Sequence, residues 1–290
     1  MTRQWKRQAE VIVGAGGSGL SIKDLRIQFE VIKTADKEPN KANIRIYNLN
    51  PDNEARVKEE FDEVLVNAGY PDAVGLIFRG NIMHVYRYRE GPDLVIEIEA
   101  SDGDKDYRKA TVNRSFAAGS TNTDVLEQCL ASFEGVGNTI EGTILMPERS
   151  YLRGKVVAGA TRHALDFLAR EAGANWSIQD GELTMVGVLE TLPDEVQVIN
   201  KDTGMIGSPE VNEKGVTVRC LLNNKLKVNG QIELDMASIN ERPTSPMAND
   251  PQPGVERKPA TGRFKILTIK HTGDNRGADW ISEVGCVLLD

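Results

Sequence analysis

Strict alternation of apolar and polar residues is the feature that most limits this fold. Leu25, Ile27, Phe29 and Val31 alternate with Arg26, Gln28 and Glu30; Ile44-Arg45-Ile46 follows, and Leu94, Ile96, Ile98 and Ala100 alternate with Val95, Glu97 and Glu99. A period of two over four or more residues describes a strand with one buried and one wet face. Antiparallel sheets allow such a pattern, whereas parallel sheets covered on both faces do not. Strands are predicted again at Phe264-Lys265-Ile266-Leu267 and near Trp280–Val287. Two antiparallel β regions are therefore predicted, with most of the helical signal between them.

Helix boundaries are well marked. Asn50 as cap, Pro51 in the first turn and the stripe Val57, Phe61, Val64, Leu65 and Ala68 before Gly69 predict a helix over about 51–68. Thr121 with Asp124 three residues on opens a second, carrying Val125, Leu126, Cys129, Leu130 and Phe133 and ending at Gly135. A third begins near Thr161, buries Ala164, Leu165, Leu168, Ala169 and Ala172, and stops at Gly173. A two-residue turn at Asp180-Gly181 then sets Ile178 against Leu183 and Trp176 against Met185, all on one face. Around Asn229-Gly230 a three-residue loop, with Gly230 left-handed, would pair Leu226 with Ile232 and Lys225 with Glu233. Five of the twelve prolines (Pro243, Pro246, Pro251, Pro253 and Pro259) cluster beyond it, marking a loop over about 241–262 that cannot join a ladder. As an arm reaching a neighbouring subunit, it would present Pro243, Pro246, Met247, Pro251, Pro253, Val255 and Arg257. The implied division is 1–110, 111–190 and 191–290.

Chemistry is not announced by any motif. Gly14-Ala15-Gly16-Gly17-Ser18-Gly19 spells a dinucleotide fingerprint, but Gly19 leads into alternating residues rather than a helix, so a loop between strands is expected. Asp102-Gly103-Asp104-Lys105-Asp106 opens like a calcium loop, yet Tyr107 and Asn113 replace the required Gly and Glu; a solvated turn is expected. His84, His163 and His271 are scattered, and Glu97 and Glu99 read as a wet strand face. The three cysteines have no metal-knuckle spacing, and their odd number does not make a disulfide framework. No apolar run approaches the ~18 residues of a membrane span, and Met1-Thr2-Arg3-Gln4-Trp5-Lys6 precedes no signal-peptide block. With 35 Lys+Arg against 43 Asp+Glu, a net charge of −8 argues against gripping phosphate backbones. No catalytic, metal or cofactor residues are assigned, and no membrane binding is expected. A reducing cytoplasm is the expected site of synthesis.

Three passages carry a resemblance: Gly19–Phe29 continuing through Pro39-Asn40-Lys41-Ala42-Asn43-Ile44-Arg45-Ile46-Tyr47-Asn48-Leu49; Gly215–Asn223 leading to Val228-Asn229-Gly230; and Phe264-Lys265-Ile266, Ile269–Asp274 and Asp279-Trp280. In order and spacing the chain resembles the baseplate hub proteins of tailed bacteriophages, particularly those with contractile tails. The positions carrying it are Asn43, Tyr47, Asn48, Leu49, Leu221, Leu222, Asn223, Gly230, His271, Gly273, Asp274 and Trp280. The resemblance implies a mainly β, α+β architecture: two tail-tube-like antiparallel β-barrel domains flanking a small helix-containing α/β domain. It further implies a homotrimeric, non-enzymatic ring in the virion baseplate, contacting the tail tube protein, the central spike protein and wedge or other hub-associated proteins. DNA would be transient cargo, and an acidic lumen would keep it from sticking. The alternatives are a hexameric tail-tube or distal-tail ring, a peptidoglycan-degrading enzyme using carboxylates within 97–106, and a nucleotide enzyme built on the Gly14–Gly19 loop.

Overall fold

Residues 6–15, 18–212, 215–234 and 262–289 are described by a computed structural model. The N-terminal strands are β1 (Gln8–Ala15), β2 (Ser18–Ile22), β3 (Ile27–Thr34) and β4 (Lys41–Tyr47); helix α1 (Pro51–Glu59) precedes β5 (Glu63–Tyr70), β6 (Ala73–Glu90) and β7 (Asp93–Ser101). The middle holds α2 (Asp104–Lys109), β8 (Thr111–Phe116), α3 (Asn122–Ala131), β9 (Ile140–Ile144), β10 (Lys155–Ala160), α4 (Thr161–Ala172), β11 (Ala174–Gln179) and β12 (Glu182–Gly187). β13 (Gln197–Ile199), β14 (Glu210–Asn212), β15 (Gly215–Leu221), β16 (Gln231–Leu234), β17 (Gly262–Asp274) and β18 (Trp280–Leu288) follow.

Terminal strands from both ends form one 13-stranded sheet, in the order β14-β15-β18-β17-β3-β4-β7-β6-β5-β1-β2, with β16 on β17 and β13 on β16. Its seam is the antiparallel β3–β17 ladder, running from Thr34 opposite Thr268 to Gln28 opposite Asp274. The mainly β architecture with an α/β insertion agrees with the sequence. The two expected barrels do not appear as closed ladders among the described residues, because β3 and β17 pair across what would be the boundary between them.

Apolar packing falls into three clusters. Ile27, Phe29, Ile44, Ile46, Ile96 and Ile98 centre the first, which also takes in Leu222 and Trp280 from the C-terminal part. The second lies wholly within the middle segment, around Leu165, Leu168, Leu183 and Met185. Val218, Ile232, Phe264, Ile269 and Val284 build the third, joined by Ala35 from the N-terminal part. The terminal regions thus exchange core residues, while the middle segment keeps its own.

Several local readings hold. Thr121 accepts from the Asp124 N–H and Asp124 returns the bond to the Thr121 N–H, the reciprocal cap predicted for α3. α4 ends on a left-handed Gly173. Asp180 and Gly181 both have positive φ, and Ile178 faces Leu183 while Trp176 faces Met185, as expected. Gly14 faces Gly19 across the β1–β2 hairpin, so no helix opens there.

Two readings fail. The helix over 51–68 stops at Glu59, and Gly69 lies inside a strand rather than at a helix end. Val64 and Ala68, four residues apart, fit both a helical stripe and a strand's inner face, and buried Val66 fits only the strand; pairing of β5 with β1 on one edge and β6 on the other completes it. Leu226 and Ile232 do not face each other either. Residues 223–230 form a loop in which Asn229, not Gly230, is left-handed, and β16 pairs with β17 and β13 instead. That loop is pinned by the Asn224 amide, which donates to the carbonyls of Ala68 (2.9 Å) and Ala73 (2.7 Å) beside the β5–β6 turn. Asn224→Ala should therefore lower unfolding free energy by about 1–2 kcal/mol, read as a shifted urea midpoint at unchanged slope.

Candidate assembly face and inter-unit joint

The wet phase of the alternating strands builds one polar face over seven adjacent strands. Tyr86, Glu97, Arg45, Gln28 and Asp274 form one cross-strand row. A second runs His84, Glu99, Asn43, Glu30, Thr272, Ile281 and Leu221; a third runs Lys41, Ile32, Lys270, Glu283 and Arg219. Opposite charges neighbour one another: Arg26–Asp274 at 2.8 Å, Arg45–Glu97 at 3.3 Å, Lys270–Glu30 at 2.9 Å and Arg219–Glu283 at 2.7 Å. The exposed pairs, Lys270–Glu30 and Arg219–Glu283, contribute little stability singly, whereas the Asp274 and Glu97 carboxylates are shielded. Both signs occur along the first and third rows, whereas the second carries only the carboxylates Glu99 and Glu30.

Burial tends to raise the Glu97 carboxyl, but bonds from Asn43 and Tyr88 and the nearby Arg45 guanidinium outweigh it and hold it below the usual range. A catalytic carboxyl kept protonated would need the opposite environment. For Asp274, burial is likewise outweighed by Arg26, Gln28 and the Arg276 N–H, which set it at about 2.

The positions singled out by resemblance sit mostly along the seam and its flanks. Asn43 donates to Glu97 (2.6 Å), and the Tyr47 hydroxyl donates to Gln28 (2.8 Å) beneath the Arg26 guanidinium. Asn48 is left-handed, accepting from the Leu94 N–H and donating to Asp93. Leu49 and Leu222 are buried, Leu221 is half-buried on the polar face, and the Asn223 amide oxygen accepts from the Lys225 N–H. The Gly230 N–H donates to the Lys227 carbonyl. His271 is buried with its Nδ1 2.8 Å from the Ser282 hydroxyl. Gly273 leaves room for Phe29 to meet Trp280 edge-on, ring centroids 5.5 Å apart. The arm residues Pro243, Pro246, Met247, Pro251, Pro253, Val255 and Arg257 lie outside the described residues.

A second constellation escapes the sequence reading. Asp102 is fully buried, and its carboxylate accepts from the backbone N–H groups of Asp180 and Gly181, the turn of the β11–β12 hairpin. Asp180 in turn accepts from Lys33 (2.6 Å) and from the Arg79 N–H (3.1 Å). Asn40 donates to the Ile178 carbonyl and the Gln179 amide oxygen, and Gln179 donates to the Thr34 carbonyl. Left-handed Gly103 beside this turn admits the Ile178 side chain, which a Cβ there would strike. Burial, reinforced by Asp180 nearby, pushes the Asp102 carboxyl up to about 7 against the pull of Lys33.

The solvated turn expected at 102–106 is thus a buried joint. Asp106 is equally buried and accepts from the Gly137 and Thr139 N–H groups, so these carboxylates serve different loops rather than one cation. One signal was available: Lys33 continues the inward phase of Ile27, Phe29 and Val31, where a lysine requires a partner.

No group of three or more His, Cys, Asp or Glu suited to a metal ion occurs among the described residues. The three histidines lie apart on β6, α4 and β17. Cys129, Cys220 and Cys286 are buried and free, and burial raises all three thiols, Cys129 and Cys220 to about 12.

A family model described as baseplate hub gp41 matches residues 9–242. Among solved structures, the tail protein from Neisseria meningitidis MC58 has a TM-score of 0.63 at 8% identity, covering 97% of this chain and 96% of its own. The 43 kDa tail protein of prophage MuSo2 from Shewanella oneidensis gives 0.61 at 10% identity, with 97% and 98% covered. The E. coli c3393 protein, described as a type VI secretion component similar to the T4 bacteriophage tail proteins gp27 and gp5, gives 0.56 at 9% identity, with 99% and 76% covered. At these identities the likeness is one of fold. A search of curated proteins found no match.

Proposed function

This chain belongs to the baseplate hub gp41 family of bacteriophage tail structural proteins, and from that premise we propose that three copies close into a ring joining a sixfold tail tube to a threefold central spike. The supporting observation is the family match over 9–242, seated on a fold shared almost end to end with tail proteins. In this reading the chain divides into 1–110, 111–190 and 191–290, with the first and last as the tube-like modules. Three copies then offer six such modules to the tube, and closure covers sheet edges that would be liabilities in a monomer. The ring works by association rather than catalysis and takes no cofactor. It is made and assembled in the host cytoplasm, contacts wedge or other hub-associated proteins, and passes DNA through its lumen.

Native mass measurement of the purified ring tests this. Three copies support the hub, whereas six would favour a tail-tube or distal-tail ring. Lysis of purified peptidoglycan by the isolated chain would overturn the non-enzymatic reading. The 243–257 segment acts here as an arm onto a neighbouring copy. Deleting residues 244–260 should leave the circular dichroism spectrum unchanged while shifting the sized species toward monomer; an unchanged oligomer would make the arm passive.

A further inference from the structure

The middle segment owns its apolar cluster, while the two terminal regions share residues between theirs. Polar contacts join the middle segment to the terminal ones. Lys33 and Asp102 grip the Asp180-Gly181 turn, Lys37 reaches Asp166 on α4 at 2.8 Å, and buried Lys265 donates to the carbonyls of Gly187 (2.7 Å) and Val188 (3.2 Å) where the chain leaves β12. A cavity of about 20 Å³ lies at this joint, between Asp102, Gly103, Arg79, Thr139 and Gly181. Units that meet through polar contacts, with little shared apolar core, move relative to one another unless something holds them.

We propose that the middle unit is a latched lever: the Lys33–Asp180–Asp102 cluster and Lys265 hold it against the terminal sheets, and opening that cluster releases it as a rigid body. Its pivots are the two chain crossings, at left-handed Gly103 just before α2 and near 189–196. The contacts have the right character for a latch. Each is directional and charge-assisted, so a small displacement loses it outright, whereas apolar surface would be lost gradually. Release leaves all three apolar clusters intact. This inference stands on contacts within one copy and does not depend on how many copies assemble.

Hydrogen exchange by mass spectrometry on the full chain in its assembled state tests it, comparing wild type with Lys33→Met and Asp180→Ala. The second variant acts from the other side of the joint and covers the chance that a change within β3 disturbs folding. Peptides spanning 38–42, 101–104 and 176–183 should exchange at least tenfold faster in either variant. Peptides 122–131, 164–169, 264–272 and 281–286 should keep their wild-type rates. Unchanged exchange at the joint would overturn the proposal, and so would a uniform rise everywhere, which marks general destabilisation instead of release.

Discussion

Gly273→Val is expected to remove about 3 kcal/mol or more of unfolding free energy, the largest effect of any single substitution at the seam. A Cβ at 273 would lie 2.3 Å from Cζ of Phe29 and under 3 Å from two further ring carbons. The ring cannot swing clear, because Trp280 meets it edge-on and neighbouring residues of the first cluster surround it. Overpacking a filled core typically costs about 1–3 kcal/mol, and a rigid aromatic pair on a hydrogen-bonded ladder gives less than most sites. Gly273→Ala should fall at about 2 kcal/mol. Urea unfolding reads both. Adding Phe29→Leu to Gly273→Ala reopens the slot, so the double variant should be more stable than the two single losses summed. Strict additivity would show that the glycine is not there to admit the ring.

The second large effect is hidden in the wild type, where two buried groups titrate in opposition. Burial, aided by the Lys33 charge, lowers His271 to about 3, below its ordinary 6.5. A folded-state value depressed in this way gives stability that is complete above 6.5 and declines as pH falls toward 3. Asp102 is raised from 3.8 to about 7, so acidification relieves its penalty progressively between pH 7 and 3.8. Each contributes roughly 1.4 kcal/mol per pH unit, with opposite sign, over the shared window.

Wild-type stability should therefore be nearly flat from pH 6.5 to 4. His271→Gln, which keeps a partner for Ser282, should become about 3 kcal/mol more stable over that descent, relative to wild type. Parallel profiles for the two proteins would refute the opposition. Below pH 3.8 the profile turns down in both. Asp274 is held at about 2, and the stability it adds is lost as pH falls from 3.8 through that value.

Local patterns carried much of this fold. The reciprocal cap of Thr121 and Asp124, the apolar stripe of α4 and the Asp180-Gly181 turn are each written in a dozen residues or fewer, and each appears as read. The alternation of β3, β4 and β7 identifies the wet face except at Val95, which is read with Glu97 and Glu99 but is fully buried. Partner choice over long distances was not legible in the same way. Val64 and Ala68 satisfy two periods at once, and β1 and β6 on either edge select the strand. At Asn229-Gly230 the local pattern favours pairing Ile232 with the segment just before it, whereas β16 pairs with β17 and, in parallel, with β13. The joint is not legible from the sequence neighbours of Asp102. Its true partners, at 180 and 181, lie on a hairpin almost eighty residues away.

The β3–β17 ladder has a consequence for how the protein is made. Its two halves are separated by more than 200 residues, so a ribosome must deliver almost all of the described polypeptide before β3 acquires its second neighbour. Until then a nascent chain displays an unsatisfied strand flank beside Ile27, Phe29 and Val31, a template for wrong pairings. Chaperone attendance or slow, late-completing folding is the expected outcome for so non-local a topology. The same delay acts as a checkpoint: truncated translation products lack the strand that finishes the sheet and cannot present the complete polar face.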